Sequence, residues 1–275
     1  MENNFEKKFE ITEETVVVND HVLHRIRAII CIGDVEDIYE CEDDVRWVPA
    51  GTLGGYIERE ENLSHEGTAW ISGDACVFGN AHISDDARVS GNAHISDDAR
   101  VFGNAHISDN ADISGHALIY GDAYVSGNAH ISGYTRIFDS AHIFGNAKVS
   151  DRAYVFNGGS VGDNAVVRGD AKVYGDAKIL GFAQIFDYAE VFRNACVADK
   201  AMVYGNAYVF DHAKIYDYVS VGGTACIFGN AEVYDFVAIC GGQISGDAII
   251  PGFIRLEGVI TPEERDYIYK NGGII

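Results

Sequence analysis

Proline is scarce in this chain, with three in 275 residues, while glycine reaches 31. That balance points to many tight turns without disorder. Basic residues are also few: 20 Lys and Arg stand against 42 Asp and Glu, a formal charge of −22. A chain this acidic lacks the basic footprint that unaided binding to nucleic acid or to an anionic membrane requires. Residues 1–66 hold 17 acids and 6 bases, so 17 − 6 leaves −11 on the first quarter of the sequence. No run approaches the ~18 apolar residues of a membrane span, and the opening MENNFEKKFEIT has acids where a signal peptide needs a basic and then an apolar stretch. The expected location is the cytoplasm. Six cysteines, Cys31, Cys41, Cys76, Cys196, Cys226 and Cys240, form no CxxC pair and no metal-ligand spacing, which suits reduced thiols and no metal site. There is no GxxxxGK[ST] phosphate loop and no HExxH.

What the chain does have is repetition. Residues 79–108 read GNAHISDDARVSGNAHISDDARVFGNAHIS. Stepping by six from Ile71 to Ile239 gives (239 − 71)/6 + 1 = 29 positions, all of them Ile or Val. Two residues before each stands Ala in 25 of the 29, the exceptions being Thr135, Gly159, Val219 and Val237. The remaining slots favour Gly or Asp followed by Asn or Asp, residues that tolerate tight or left-handed turns. Small-inside, polar-outside, branched-inside is a short strand, and the Gly/Asp–Asn/Asp pair is the corner that ends it. Burying one Ile or Val yields about 1.5–3 kcal/mol, whereas ordering a residue costs about 1–2 kcal/mol. No six-residue rung is stable alone, so the rungs must stack.

The pattern aliphatic-x-x-x-small-x, as in Ile83-Ser-Asp-Asp-Ala87-Arg88, resembles the hexapeptide-repeat family. That resemblance implies an all-β fold: a left-handed parallel β-helix of triangular section with three hexads per coil, here about ten coils. In front of the repeat, Gly51, Gly54-Gly55-Tyr56-Ile57, Asn62-Leu63-Ser64, Gly67 and Trp70-Ile71 resemble the entry segment of YdcK-like proteins. This is a bacterial group that often carries an acetyltransferase label, with similar sequences in phages and prophages. Residues 1–66 are expected to form a small β-rich cap, with two β-rich runs around an Asn19-Asp20 turn, and residues 67–250 the β-helix. Residues 251–275 are expected to form a second cap with a short helix, in which Thr261 is the N-cap, Pro262 the first helical position, Glu264 the capping-box partner and Gly272 the stop.

With eighteen residues per coil, positions 18 apart form columns. One outward column reads Phe102, Tyr120, Phe138, Phe156, Tyr174, Phe192, Phe210, Phe228 after a leading Ser84; its counterparts on the other two faces are rich in serine in the early coils. Such a row either stabilises the solenoid as an aromatic ladder, or forms an interface, since monomers rarely leave large apolar strips bare, or captures a planar ligand by stacking, with self-association favoured over ligand capture. A second column aligns His94, Asp112 and His130, near Ser96, Ser114 and Ser132; His106 and His142 flank Tyr124 on another. A carboxylate between imidazoles is a candidate base or ligand set, but a flat ladder offers neither concavity nor oxyanion donors. The structural reading is therefore favoured for all five. Gly158-Gly159-Ser160-Val161-Gly162 spells a nucleophile elbow, yet Val161 sits in the six-residue register with no helix after it, so the match is a coincidence.

The expected function is that of a non-enzymatic binding or scaffolding solenoid. It would work through flat faces and the aromatic ladder, with a protein partner or with itself; the resemblance makes a trimer one form. No cofactor is expected. The resemblance supplies an alternative, an O- or N-acyltransferase using acetyl-CoA or another acyl-CoA with a histidine base, but no histidine here matches the family's catalytic one. A third reading is an acidic decoy or a phage-borne inhibitor of a host protein. It is limited by a corner column, Gly73, Gly91, Asp109, Gly127, Gly145, Asp163, Gly181, Asp199, Asp217, Asp235, that is continuously acidic only near its end.

Overall fold

The hexads fold as anticipated, into strands of two or three residues closed by turns, with the last, around Ile239, lengthened to the five residues Phe236–Cys240, and the computed structural model describes residues 7–33 and 47–256. All 29 Ile and Val positions from Ile71 to Ile239 are buried, as are the small residues two places before them. The first turn slot takes a left-handed conformation: Gly91 has φ +68° and Asp109 φ +59°. Asp in this slot offsets its strain by a hydrogen bond. Gly103 donates its N–H to Asp85 Oδ2 at 3.0 Å, Gly127 to Asp109 Oδ2 at 2.8 Å and Gly181 to Asp163 Oδ2 at 2.9 Å, each one coil on. The second slot carries amide ladders, with Asn80 Nδ2 donating to Asp98 Oδ1 at 2.9 Å and Asn146 Nδ2 to Asn164 Oδ1 at 3.1 Å. Turns are thus bonded coil to coil in the same way as strands.

The chain divides into two compact units, Met1–Gly127 and Asn128–Ile275. In the first, strand β1 (Phe9–Val18) pairs antiparallel with β2 (His21–Ala28) through Val18 and His21. Asn19 and Asp20, at φ 49° and 67°, make the expected hairpin turn. Strand β3 (Leu53–Ile57) pairs antiparallel with β2 and parallel with Cys76–Val77, so the hairpin sheet runs directly into one face of the solenoid. Stacking therefore begins before residue 67: Ile57 lies opposite Val77, and Leu63 opposite Ile83. Those laps are twenty residues long, with the two extra residues between Leu63 and Ile71. Later laps in this unit are eighteen; His106, for example, pairs with Arg88 and Tyr124. Gly54 is required where β3 meets the first coil, because a Cβ there would stand 2.6 Å from Ile26 Cγ1 and 2.7 Å from Ile71 O.

The second unit stacks parallel strands on three sheets from His130–Ile131 to Phe253–Leu256. Its laps are eighteen residues long until Cys240. The next is seventeen, with Ile244 opposite Ile227, Ile250 opposite Val233 and Leu256 opposite Ile239. Gly241 and Gly242, at φ 105° and 77°, take up the missing residue. The register break after Ile239 is thus a short lap, and coils continue to Leu256. The helix expected on Thr261, Pro262, Glu264 and Gly272 lies outside the described residues. Counting both units, the parallel solenoid makes about 11 turns, more than the 29 regular rungs supply, because Ile57, Leu63, Ile244 and Ile250 also serve as rungs. Among the described residues there is no α-helix, only a 3-10 turn at Glu60–Asn62, and hence none long and apolar enough to cross a membrane.

Candidate functional sites on the faces, the corner and the front cavity

The histidines expected from the sequence to form a ladder stand on short strands of the coils. In the first unit Asp112 is the register partner of His94, which in turn faces Cys76. His130 belongs to the second unit, where its partner is Lys148. His106 stacks on Tyr124, with ring centroids 6.2 Å apart. His142 pairs with Ser160 and donates Nδ1–H to Ser140 O at 2.9 Å. Among the described residues no group of His, Cys, Asp or Glu is arranged to hold a metal ion. Val161 of the elbow-like stretch is fully buried, as its register demands, and Gly162 lies under the Phe144 ring.

The aromatic column forms in both units. Phe102 stacks on Tyr120 at 4.9 Å and 3° in the first. In the second, Phe138, Phe156, Tyr174, Phe192, Phe210 and Phe228 follow one another at 4.8–5.0 Å with planes within 7°. The rings are half-buried. Spacing at the strand repeat covers both faces of every interior ring, so a planar ligand cannot enter between them, and only ring edges meet solvent. Tyr174 also donates its hydroxyl to Glu190 Oε2 at 3.0 Å, while Lys172 Nζ donates to Glu190 Oε1 at 2.8 Å. Burial first, and then that carboxylate, push the Tyr174 phenol far above its usual range.

Two arrangements escaped the sequence reading. One is a corner strip in the second unit where Phe182, Lys200, Tyr218, Phe236 and Phe253 occupy the second turn slot of successive coils. Phe182, Tyr218, Phe236 and Phe253 are 57%, 50%, 49% and 76% exposed. Tyr218, Phe236 and Phe253 stack at 4.7 Å. Lys200 lays its ammonium 4.7 Å over the Tyr218 ring and donates to the Tyr218 hydroxyl at 2.9 Å. A cavity of about 340 Å³ beside it is lined by Gly181, Phe182, Asp199, Lys200, Asp217 and Tyr218. The signal in the sequence was a run of aromatics and a lysine, one coil apart, in a slot that elsewhere most often holds Asn or Asp.

The other is a front cavity of about 380 Å³ lined by Glu60, Glu61, Leu63, Ser64, His65 and His82. His65 accepts the Lys8 backbone N–H on Nδ1 at 3.2 Å and donates Nε2–H to Glu60 Oε1 at 2.8 Å. Its ring stacks on Phe9 at 4.3 Å. Glu60 also pairs with Lys7 at 2.6 Å; Lys7 first and then His65 hold its carboxyl below the usual range. His82 donates Nδ1–H to Glu61 O at 2.7 Å, which leaves Nε2 as the lone-pair nitrogen when the ring is neutral. Lys8 is buried at 2% exposure, with Nζ donating to Glu66 O and Gly67 O at 3.4 Å.

No curated protein matches the chain. The family model described as the YdcK beta solenoid repeat matches residues 81–97, from within the stretch quoted at the outset. The matched hexads are the same phrase that recurs along both units, and together with the parallel solenoid they build, they fit a YdcK-like repeat protein.

Proposed function

We propose that the chain is a non-enzymatic scaffold that acts by binding protein along the straight columns its coils create, and that copies of it associate side by side. The observation that carries this reading is the unbroken six-residue step from Ile71 to Ile239, which leaves no insertion to wall off a cleft over those residues. His94, His106 and His142 consequently stand on flat strands without the enclosure that acyl transfer needs. The ring edges of Phe138 to Phe228 supply a long apolar seam for a second copy, since the ring faces are already spent on one another. All five described cysteines are free, which supports a reducing, cytoplasmic setting.

A second reading, the acyl-CoA-dependent acyltransferase, has one feature in its favour: the oriented imidazole of His82 beside Ser64 in the front cavity. One pair of measurements separates the two. Sedimentation velocity over a concentration series is expected to show an associating species that Phe156→Ser with Phe192→Ser converts to monomer. Calorimetry with acetyl-CoA is expected to show no saturable binding. Acetyl-CoA binding with turnover that His82→Ala abolishes would overturn the scaffold reading.

A further inference from the structure

We infer that the corner strip from Phe182 to Phe253 is a docking site for an extended polypeptide segment in which arginine or lysine alternates with aliphatic residues. This rests on the reading of the chain as a protein-binding scaffold and names the chemistry of its partner. Four coil steps separate Phe182 from Phe253, about 19 Å at the strand spacing, which an extended chain of about six residues spans.

Two parallel rows define the chemistry. The first is the exposed row Phe182, Lys200, Tyr218, Phe236, Phe253. The second is its neighbour in the preceding turn slot, where Asp199, Asp217 and Asp235 hold φ 57°, 58° and 66°. Each of these carboxylates spends Oδ2 on the next coil, accepting from Asp217 N–H at 3.4 Å, Asp235 N–H at 3.1 Å and Gly252 N–H at 2.9 Å. No ion pair with another described residue neutralises any of the three. The strip therefore sets three carboxylates against one ammonium, that of Lys200, on a chain whose formal charge is already −22. An arginine or lysine of a partner can lay its methylene stem along the ring edges and carry its cation to the carboxylates. Aliphatic residues between them cover the rings. Lys200 demonstrates the fit from within, with its ammonium against the Tyr218 ring and hydroxyl. The cavity between Phe182 and Tyr218, which has Asp199 and Asp217 in its lining, has the composition of a cation slot. An anionic membrane or a nucleic acid backbone meets the wrong sign of charge here.

The test uses the full chain and a fluorescent Arg-Val repeat peptide of about eight residues, long enough to cover the strip, with a Glu-Val peptide as its counterpart. Anisotropy is expected to show saturable binding of the Arg-Val peptide alone, weakening with salt. The triple variant Asp199→Asn, Asp217→Asn, Asp235→Asn keeps an acceptor oxygen and a residue tolerant of positive φ, so its coils remain folded. It should lose about tenfold or more in affinity, a cost near 1.4 kcal/mol, as should Phe236→Ser with Phe253→Ser. Lys200→Met, which removes the internal competitor, should bind the peptide more tightly. The control is Asp85→Asn, Asp97→Asn, Asp109→Asn, the same change of charge in the same hydrogen-bonding role in the first unit. Equal losses in control and strip variants would mean general attraction to an acidic chain and overturn the proposal, as would no binding at all. Strip variants that alter sedimentation of the protein alone, with peptide affinity untouched, would make the occupant a second copy and also overturn it. None of these outcomes bears on acetyl-CoA turnover, so failure here is distinct from failure of the scaffold reading.

Discussion

At the scale of single residues, the interior tolerates few departures from Ala and branched aliphatics, and Thr135 is one. It fills an Ala slot, is fully buried, and its Oγ1 has no hydrogen-bond partner. A buried hydroxyl left unpaired costs about 1–3 kcal/mol. Thr135→Val keeps the shape and removes the hydroxyl, so it is expected to stabilise the protein by about 1 kcal/mol in denaturant melts; no gain, or a loss, would show that the hydroxyl is satisfied. Lys8 is the second departure. Burial first, then Arg88, pushes its amine down to about 8 from 10.5. With the folded value below the unfolded one, folding favours the neutral amine. The stability contribution is complete above pH 10.5 and is lost as pH falls through about 8. Lys8→Met should therefore be more stable than the native chain at neutral pH, with the gap closing as the pH approaches 10.5. A gap constant in thermal melts across that range would contradict the assignment.

At the scale of elements, the ring column makes a graded prediction. Phe192 stacks on Tyr174 and Phe210, while Phe228 has Phe210 as its ring neighbour among the described residues. Each stacked pair contributes about 0.5–1.5 kcal/mol beyond area burial. Phe192→Ser should accordingly destabilise by about 1–3 kcal/mol and Phe228→Ser by about half as much, measured by chemical denaturation. Equal costs would mean that ring contact is not what holds the column.

The period was legible in the sequence because along the regular laps an interior Ile or Val meets the residue eighteen places away, as Ile107 meets Val89 and Val125, so one rule repeats. The hairpin was legible from Asn19 and Asp20, whose left-handed turn suits few other pairs. Unequal laps were not legible. The two extra residues after Leu63 and the one missing near Gly241 shift the phase by amounts that no period announces. His65 lies inside the long lap and His82 faces it, so their meeting at the front cavity had no register to reveal it. The corner strip was hidden differently: Tyr218 and Phe236 read as substitutions in a turn slot, and only stacking of the coils shows that they touch.

At the scale of the whole molecule, charge dominates. Surface ion pairs such as Lys214 with Glu232 at 2.7 Å are screened by solvent and contribute little, too little to offset a formal charge of −22 that works against the compact state. Raising salt from 0.01 to 0.1 M shortens the screening length from about 30 Å to about 10 Å. The melting temperature should therefore rise with sodium chloride over this range; a fall would mean that the paired charges outweigh the repulsion.

The parallel rings have an optical consequence. Both tryptophans, Trp47 and Trp70, belong to the first unit, whereas the second holds tyrosines such as Tyr174, Tyr218 and Tyr234 in stacks with other aromatic chromophores. Emission from indole would then report on the first unit, whereas emission from phenol would come mostly from the second, which holds 11 of the 15 tyrosines. Coupling between cofacial transition dipoles would give the native protein a near-ultraviolet circular dichroism band that vanishes when the columns come apart.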